Sequence, residues 1–155
     1  IEIFNNRLWI WHQDKGLSNI DPKTYEETFV SLPSDISVAM PVFTDDRSKV
    51  WLQTNVGVLI SDRGSNQFSR PSGLEEFGQL NIIQVYSHQD AYWVITENKG
   101  IFKLDKVSLT LLKQFSGLND NATSDIRSAI GLENSIWYGS RQGIYTLDFD
   151  SSNIV

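Results

Sequence analysis

The 155-residue chain has no cysteine, one methionine, two histidines and four prolines. Without cysteine there is no disulfide scaffold, no thiolate zinc site and no cysteine nucleophile. With only His12 and His88 present, any serine–histidine–acid triad or histidine-held metal must use one of these two. Positive charge is also short, 13 Lys+Arg against 19 Asp+Glu, a formal net charge of −6. A nucleic-acid groove or an anionic membrane surface is bound through a positive field, so neither is an expected partner. No apolar run approaches the roughly 20 residues of a membrane helix. No basic-then-apolar leader opens the chain, which begins Ile1-Glu2-Ile3-Phe4 and reads as strand from the start. The piece is therefore expected to be mature and without membrane contact of its own. What remains is ordinary globular material, 40 % apolar and 12 % aromatic.

The aromatics carry a period. Trp9, Trp51, Trp93 and Trp137 recur at intervals of 42, 42 and 44 residues. Six or seven residues after each comes a glycine followed by an aliphatic residue, at Gly16, Gly57, Gly100 and Gly143. An aspartate follows each pair, at Asp21, Asp62, Asp105 and Asp148. Upstream, leucine stands 19 residues before the tryptophan at Leu32, Leu74 and Leu118. Apolar residues recur 11 before it (Met40, Ile82, Ile126) and 8 before it (Phe43, Val85, Ala129). One unit of about 42 residues is present four times.

The tryptophan segments, such as Val50-Trp51-Leu52 and Tyr92-Trp93-Val94-Ile95, are short, aromatic and β-branched, which favours strand over helix. They are apolar at consecutive positions, so both faces of the sheet are expected to be covered. A polar turn ending in glycine follows each, as in Thr54-Asn55-Val56-Gly57 and Ser140-Arg141-Gln142-Gly143, with the glycine expected at positive φ. The next strand stops at the aspartate, whose carboxylate can accept from backbone just ahead. Further strands end near Phe29, Phe68 and Phe115, and the upstream apolar positions supply one more per unit. The expectation is an all-β fold, a β-propeller of four-stranded antiparallel blades. About four blades are expected, over residues 1–30, 36–70, 79–115 and 123–155, forming a partial propeller. Each tryptophan should lie buried on the second strand of its blade, and Ile1-Glu2-Ile3 should belong to the first strand of the first blade.

The stretches Ile136-Trp137-Tyr138-Gly139-Ser140, Gly143-Ile144-Tyr145-Thr146-Leu147-Asp148 and Ser116-Gly117-Leu118-Asn119-Asp120-Asn121 resemble the two-component regulator propeller repeat. The resemblance runs through all four copies but is patchy within each. The linker glycine is kept at Gly117 and Gly73 and lost at Ser31, and the tryptophan segment departs furthest at Trp9-Ile10-Trp11-His12. Gly16-Leu17-Ser18-Asn19 imitates the linker, yet its distance from Trp9 places it on the strand that follows the tryptophan segment. The resemblance implies an extracytoplasmic, periplasmic or extracellular sensor region of a membrane-anchored bacterial receptor with a histidine-kinase or diguanylate-cyclase output. It also implies that this chain is a fragment of that region.

Candidate chemistry is thin. One tryptophan per blade at a fixed position is what inter-blade packing requires, so Trp9, Trp51, Trp93 and Trp137 read as core. Trp11, whose equivalents are Gln53, Ile95 and Gly139, is the one weak ligand-binding candidate. His12 takes the slot of Thr54, Thr96 and Ser140, and His88 lies in the turn-like Ser87-His88-Gln89-Asp90. The acid pairs Asp45-Asp46, Glu26-Glu27 and Glu75-Glu76 are adjacent in sequence, and neighbours on extended chain point opposite ways, so they do not converge. Asn119-Asp120-Asn121 with Asp125, and Asp148-Phe149-Asp150 with Asn153, cluster oxygens without EF-hand spacing, and Asn121-Ala122-Thr123 is an isolated glycosylation sequon. No catalytic residue, metal or cofactor is expected.

Two functions of different class remain. The favoured one is a non-catalytic sensor module that recognises a small molecule, an oligosaccharide or a peptide, or mediates subunit contacts. Its partners would be other blades of the same receptor or another copy of the chain. The rival is a propeller enzyme acting on polysaccharide, a lyase or glycoside hydrolase. It would need a long decorated loop, for which a period of 42 to 44 residues leaves no room. A scaffold without ligand is not separable from the first at this level.

Overall fold

A computed structural model describes residues 2–4, 6–13, 15–37, 39–43, 49–62, 65, 67–75, 80–115 and 125–154. They fall into two compact units, Ile1–Gln79 and Leu80–Val155, each built from two antiparallel sheets. In the first unit β1 (Glu2–Phe4), β2 (Arg7–His12), β3 (Gly16–Ile20) and β4 (Glu27–Phe29) form one sheet in chain order. β5 (Ala39–Phe43), β6 (Lys49–Thr54) and β7 (Gly57–Asp62) form the other. In the second unit β8 (Ile82–His88), β9 (Ala91–Thr96), β10 (Ile101–Asp105) and β11 (Leu111–Phe115) make a four-stranded meander, and β12 (Ile126–Leu132), β13 (Ser135–Ser140) and β14 (Gly143–Asp148) a three-stranded one. The fold is all-β and propeller-like, each sheet a blade with its tryptophan on the second strand.

Among the described residues, two blades fall short of the expected four strands. In the second, the outer strand shrinks to the isolated bridge Ile60↔Ser69, and Pro71, which has no N–H to donate, follows two residues later. In the fourth, the outer position is the single bridge Leu147↔Ile154. β1 opens the first blade with Ile3 opposite Leu8, while Ile1 lies outside the described residues. Gly57 and Gly100 turn at φ 121° and 87°, but Gly143 takes no positive φ. It stands opposite Ser140 as the first residue of β14, and Arg141 and Gln142 reverse the chain without it.

Residues directly opposed across a ladder share a face, and alternate residues along a strand repeat it. In the second unit the register Tyr86↔Trp93↔Lys103 and Ile95↔Ile101↔Phe115 therefore gives one face of the third blade. That face packs on Ile136, Tyr138, Leu147 and Phe149 of the fourth blade in one buried cluster. Trp93 lies against Phe115 at 5.5 Å and Phe149 at 5.1 Å between ring centroids. The inner strands approach so closely that a Cβ on Gly131 would lie 2.7 Å from the Tyr86 ring. The opposite face of the third blade, Val85, Val94, Phe102 and Leu104, is buried as well. In the first unit, Trp9 and Leu17 of the first blade meet Val50, Leu52 and Leu59 of the second in a separate cluster.

Burial of the repeat tryptophans holds for Trp9, Trp51 and Trp93 and fails for Trp137, which is 45 % exposed. The register Ile130↔Trp137↔Thr146 places Trp137 on the face of the fourth blade that points away from Tyr86 and Trp93. Ile130, Leu132 and Ile144 on the same face are exposed with it. The residue type follows the repeat, whereas its burial depends on whether a further blade covers it.

These two tryptophans give a paired test. Trp93→Ala should destabilise the protein by about 3–5 kcal/mol, the range for emptying a large aromatic site. Trp137→Ala should cost under about 1 kcal/mol, as substitutions at half-open sites do. Urea melts of both variants measure the difference, and equal losses would contradict the assignment of faces.

Candidate functional site

The repeat polar residues are occupied by backbone. Asp21 Oδ1 accepts from the N–H of Lys23 (2.8 Å) and Thr24 (3.3 Å). Asp105 Oδ1 accepts from Val107 N, Ser108 N and Ser108 Oγ, and Asp148 Oδ1 from Asp150 N and Ser151 N. In each loop the aspartate C=O also accepts from the N–H four residues on, at Tyr25, Leu109 and Ser152, all three at φ 56° to 59°. The side chain of Asp62 lies outside the described residues. The threonine ending the second strand works similarly: Thr54 Oγ1 donates to Gly57 O at 2.6 Å and Thr96 Oγ1 to Gly100 O at 2.7 Å. These residues close turns and are spent on them.

Where threonine is replaced by histidine, a side-chain cluster forms. His12 Nε2 lies 2.8 Å from Ser18 Oγ and 3.1 Å from Glu27 Oε1, and Ser18 Oγ donates to Glu27 Oε1 at 2.7 Å. The residue types are those of a hydrolytic triad, but the wiring is different. A triad puts the acid on Nδ1 and the serine on Nε2. Here one nitrogen faces both, and the serine proton already goes to the carboxylate. Ser18 is fully buried, so the cluster ties β2, β3 and β4 together.

Beside Trp93 lies a cavity that no motif or spacing in the chain anticipates. It measures about 200 Å³ and is lined by His88, Asp90, Trp93, Lys103, Asp105 and Phe149 among others. The His88 ring stacks on Phe149 at 4.4 Å and 20°. Its buried Nε2 has no hydrogen-bond partner, the nearest acid oxygen being Asp150 Oδ1 at 3.9 Å. The Trp93 indole Nε1–H is buried and likewise unpartnered. Lys103 Nζ lies 4.8 Å above the Trp93 ring. Near the hairpin ends of the same unit, Arg127 pairs with Glu97 at 3.0 Å and with Asp125, which also meets Arg141 at 2.7 Å. Burial, with the Tyr145 hydroxyl adding to it, pushes the Tyr138 hydroxyl up to about 12.

The remaining candidates scatter. Trp11 is half-buried and packs on the core of the first unit beside Trp9. Glu27 belongs to the His12 cluster, Glu26 is exposed, and Glu75 accepts from Gly73 N at 2.7 Å. Asp45, Asp46, Glu76, Leu118, Asn119, Asp120 and the sequon at Asn121 lie outside the described residues. Among the described residues, no three acidic or histidine side chains gather as a metal site would require, and no helix is long and apolar enough to cross a membrane.

The fold has clear counterparts. The extracellular domain of BT4673 from B. thetaiotaomicron, assigned as a hybrid two-component system, superposes with a TM-score of 0.70 at 14 % identity, over 97 % of this chain and 23 % of that one. The extracellular domain of BT3049 from the same organism, assigned likewise, gives 0.64 at 15 % identity over 97 % and 22 %. The computationally designed protein Ika8 gives 0.70 at 14 % identity over 99 % and 46 %. The chain thus spans under a quarter of the natural counterparts and about half of the designed one. No family model matches the sequence, and no curated protein does.

The aspartate turns set a pH dependence. Backbone N–H donors hold the carboxyls of Asp21, Asp105 and Asp148 below the ordinary carboxylate range, with the Ser108 and Ser151 hydroxyls adding at the last two. A lowered folded-state value means that the unfolded chain takes up protons first. The contribution is therefore fully present above the ordinary value and is lost as pH falls through the folded one. Urea midpoints should hold above about pH 5 and drop as pH falls through and below the ordinary carboxylate value of about 4. The triple variant D21N/D105N/D148N should show a shallower drop, and an unchanged slope would contradict the role of these carboxylates.

Proposed function

We propose that this chain is a non-catalytic segment of the extracytoplasmic sensor region of a bacterial membrane receptor, periplasmic or extracellular in location. The observation that carries this reading is the match of its fold, over 97 % of its length, to extracellular domains assigned to two-component systems. The repeat resemblance points the same way. The polar chemistry agrees, because the repeat aspartates and threonines are consumed by turns and the His12–Ser18–Glu27 cluster lacks triad wiring. The apolar face of Ile130, Leu132, Trp137 and Ile144 takes a further blade, from the same receptor or from another copy.

The coding sequence beyond Val155 is the most direct test. A membrane span leading into a kinase or cyclase is the expected outcome, and a secreted enzyme without either would overturn the sensor reading. The purified chain is expected to turn over no polysaccharide or ester. Activity abolished by Glu27→Gln would support the rival enzyme reading instead.

A further inference from the structure

We propose that the cavity beside Trp93 binds a small zwitterion of the α-amino-acid class. Its carboxylate would be taken by Lys103 and its ammonium by Asp90, over a wall that includes the Trp93 and His88 rings. The argument starts from unmet donors. Trp93 is 1 % exposed, and its Nε1–H has no acceptor. His88, on the same cavity wall, has a buried Nε2 with no hydrogen-bond partner, Asp150 Oδ1 standing off at 3.9 Å. Buried polar groups are nearly always satisfied by protein, water or an ion, so two left without a hydrogen bond on residues that line one cavity mark that wall as short of polar partners.

The charges give the ligand its sign. Lys103 and Lys113 stand directly opposite each other across β10 and β11, a pairing of like charges that costs stability. Among the described residues their charged ends meet only aromatic faces, Lys103 over Trp93 and Lys113 over Phe115 at 4.6 Å. An anionic group at the cavity would relieve the first of these lysines. Two carboxylates also line the cavity, and they differ. Asp105 is held by the N–H groups of Val107 and Ser108, whereas among the described residues Asp90 lends only its backbone C=O, accepting from Lys106 N at 2.8 Å. A simple anion would leave Asp90 opposing it, while a zwitterion uses both signs.

Size and wall agree. At about 200 Å³ the cavity is smaller than the about 300–1,000 Å³ of drug-sized sites. Ala91, Leu112 and Phe149 offer an apolar wall for a short side chain. The site is a property of the third and fourth blades within one unit, and it stands whether or not the chain belongs to a receptor.

The test is a titration of the isotopically labelled chain followed through its tryptophan indole N–H resonances, with Trp93 assigned by Trp93→Phe. L-Alanine and L-leucine at about 10 mM, a range for weak small-ligand sites, should shift the Trp93 resonance and leave that of Trp9 in place. Acetate and methylammonium, each carrying half of the ligand's charge, should bind at least about tenfold more weakly. Lys103→Met, which keeps the apolar stem, and the exposed Asp90→Asn should each weaken amino-acid binding by at least about tenfold with the Trp9 resonance unchanged. The proposal is overturned if neither amino acid moves the Trp93 resonance, if acetate binds as tightly as L-alanine, if glucose binds in their place, or if both variants bind as the native chain does.

Discussion

A sheet that is apolar on both faces cannot stand alone in water, and this constraint organises the molecule. Trp93 shows it at one residue. Its ring lies between Phe115 of its own blade and Phe149 of the next, with Tyr86 on one side of the ladder and Lys103 on the other. Turning over the same blade exposes a second apolar layer, Val94 and Phe102, which is also buried. Blades of this kind are stable only as members of a stack. The hydrogen-bonded ladders set the register, and the faces supply the burial.

The polar residues serve that stack instead of competing with it. Each aspartate turn returns the chain for the next strand, using its carboxylate and its own C=O in the same pattern in three blades. Where the repeat letter changes, the local structure changes with it. Histidine in the threonine slot has no hydroxyl to bond the turn and instead reaches Ser18 and Glu27 across the sheet. At position 131 only glycine fits, because Tyr86 of the preceding blade leaves no room for a side chain. The exposed face of the fourth blade is built from the same positions as the buried face of the third, which is why we read it as an interface.

Much of this was legible in the order of residues. The tryptophan period placed the second strand of every blade, and the aspartates marked the turns at Asp21, Asp105 and Asp148. Both signals are local, since hydrogen bonding within six residues fixes an aspartate turn. The exposure of Trp137 was not legible, because burial is a property of the neighbour and the residue carries the same letter as Trp93. The cavity was not legible either. His88 and Asp90 sit in a turn, Lys103 on another strand and Phe149 in another blade, so only the packing brings them together. The opposition of Lys103 and Lys113 depends on register next to a bulge between Lys103 and Leu104, which spacing alone does not reveal. The outer strands of the second and fourth blades are shorter than the apolar pattern suggests for a related reason. Among the described residues each is a single bridge, and apolar pattern does not count hydrogen bonds.

The central claim is that the face of one blade is stabilised by direct contact with the next. A double-mutant cycle between Trp93 and Phe149, with both residues changed to alanine singly and together, measures that contact most directly. The account predicts losses that are far from additive, with a coupling of about 0.5–1.5 kcal/mol or more from the aromatic pair. Strict additivity, with each residue contributing as though the other were absent, would contradict it.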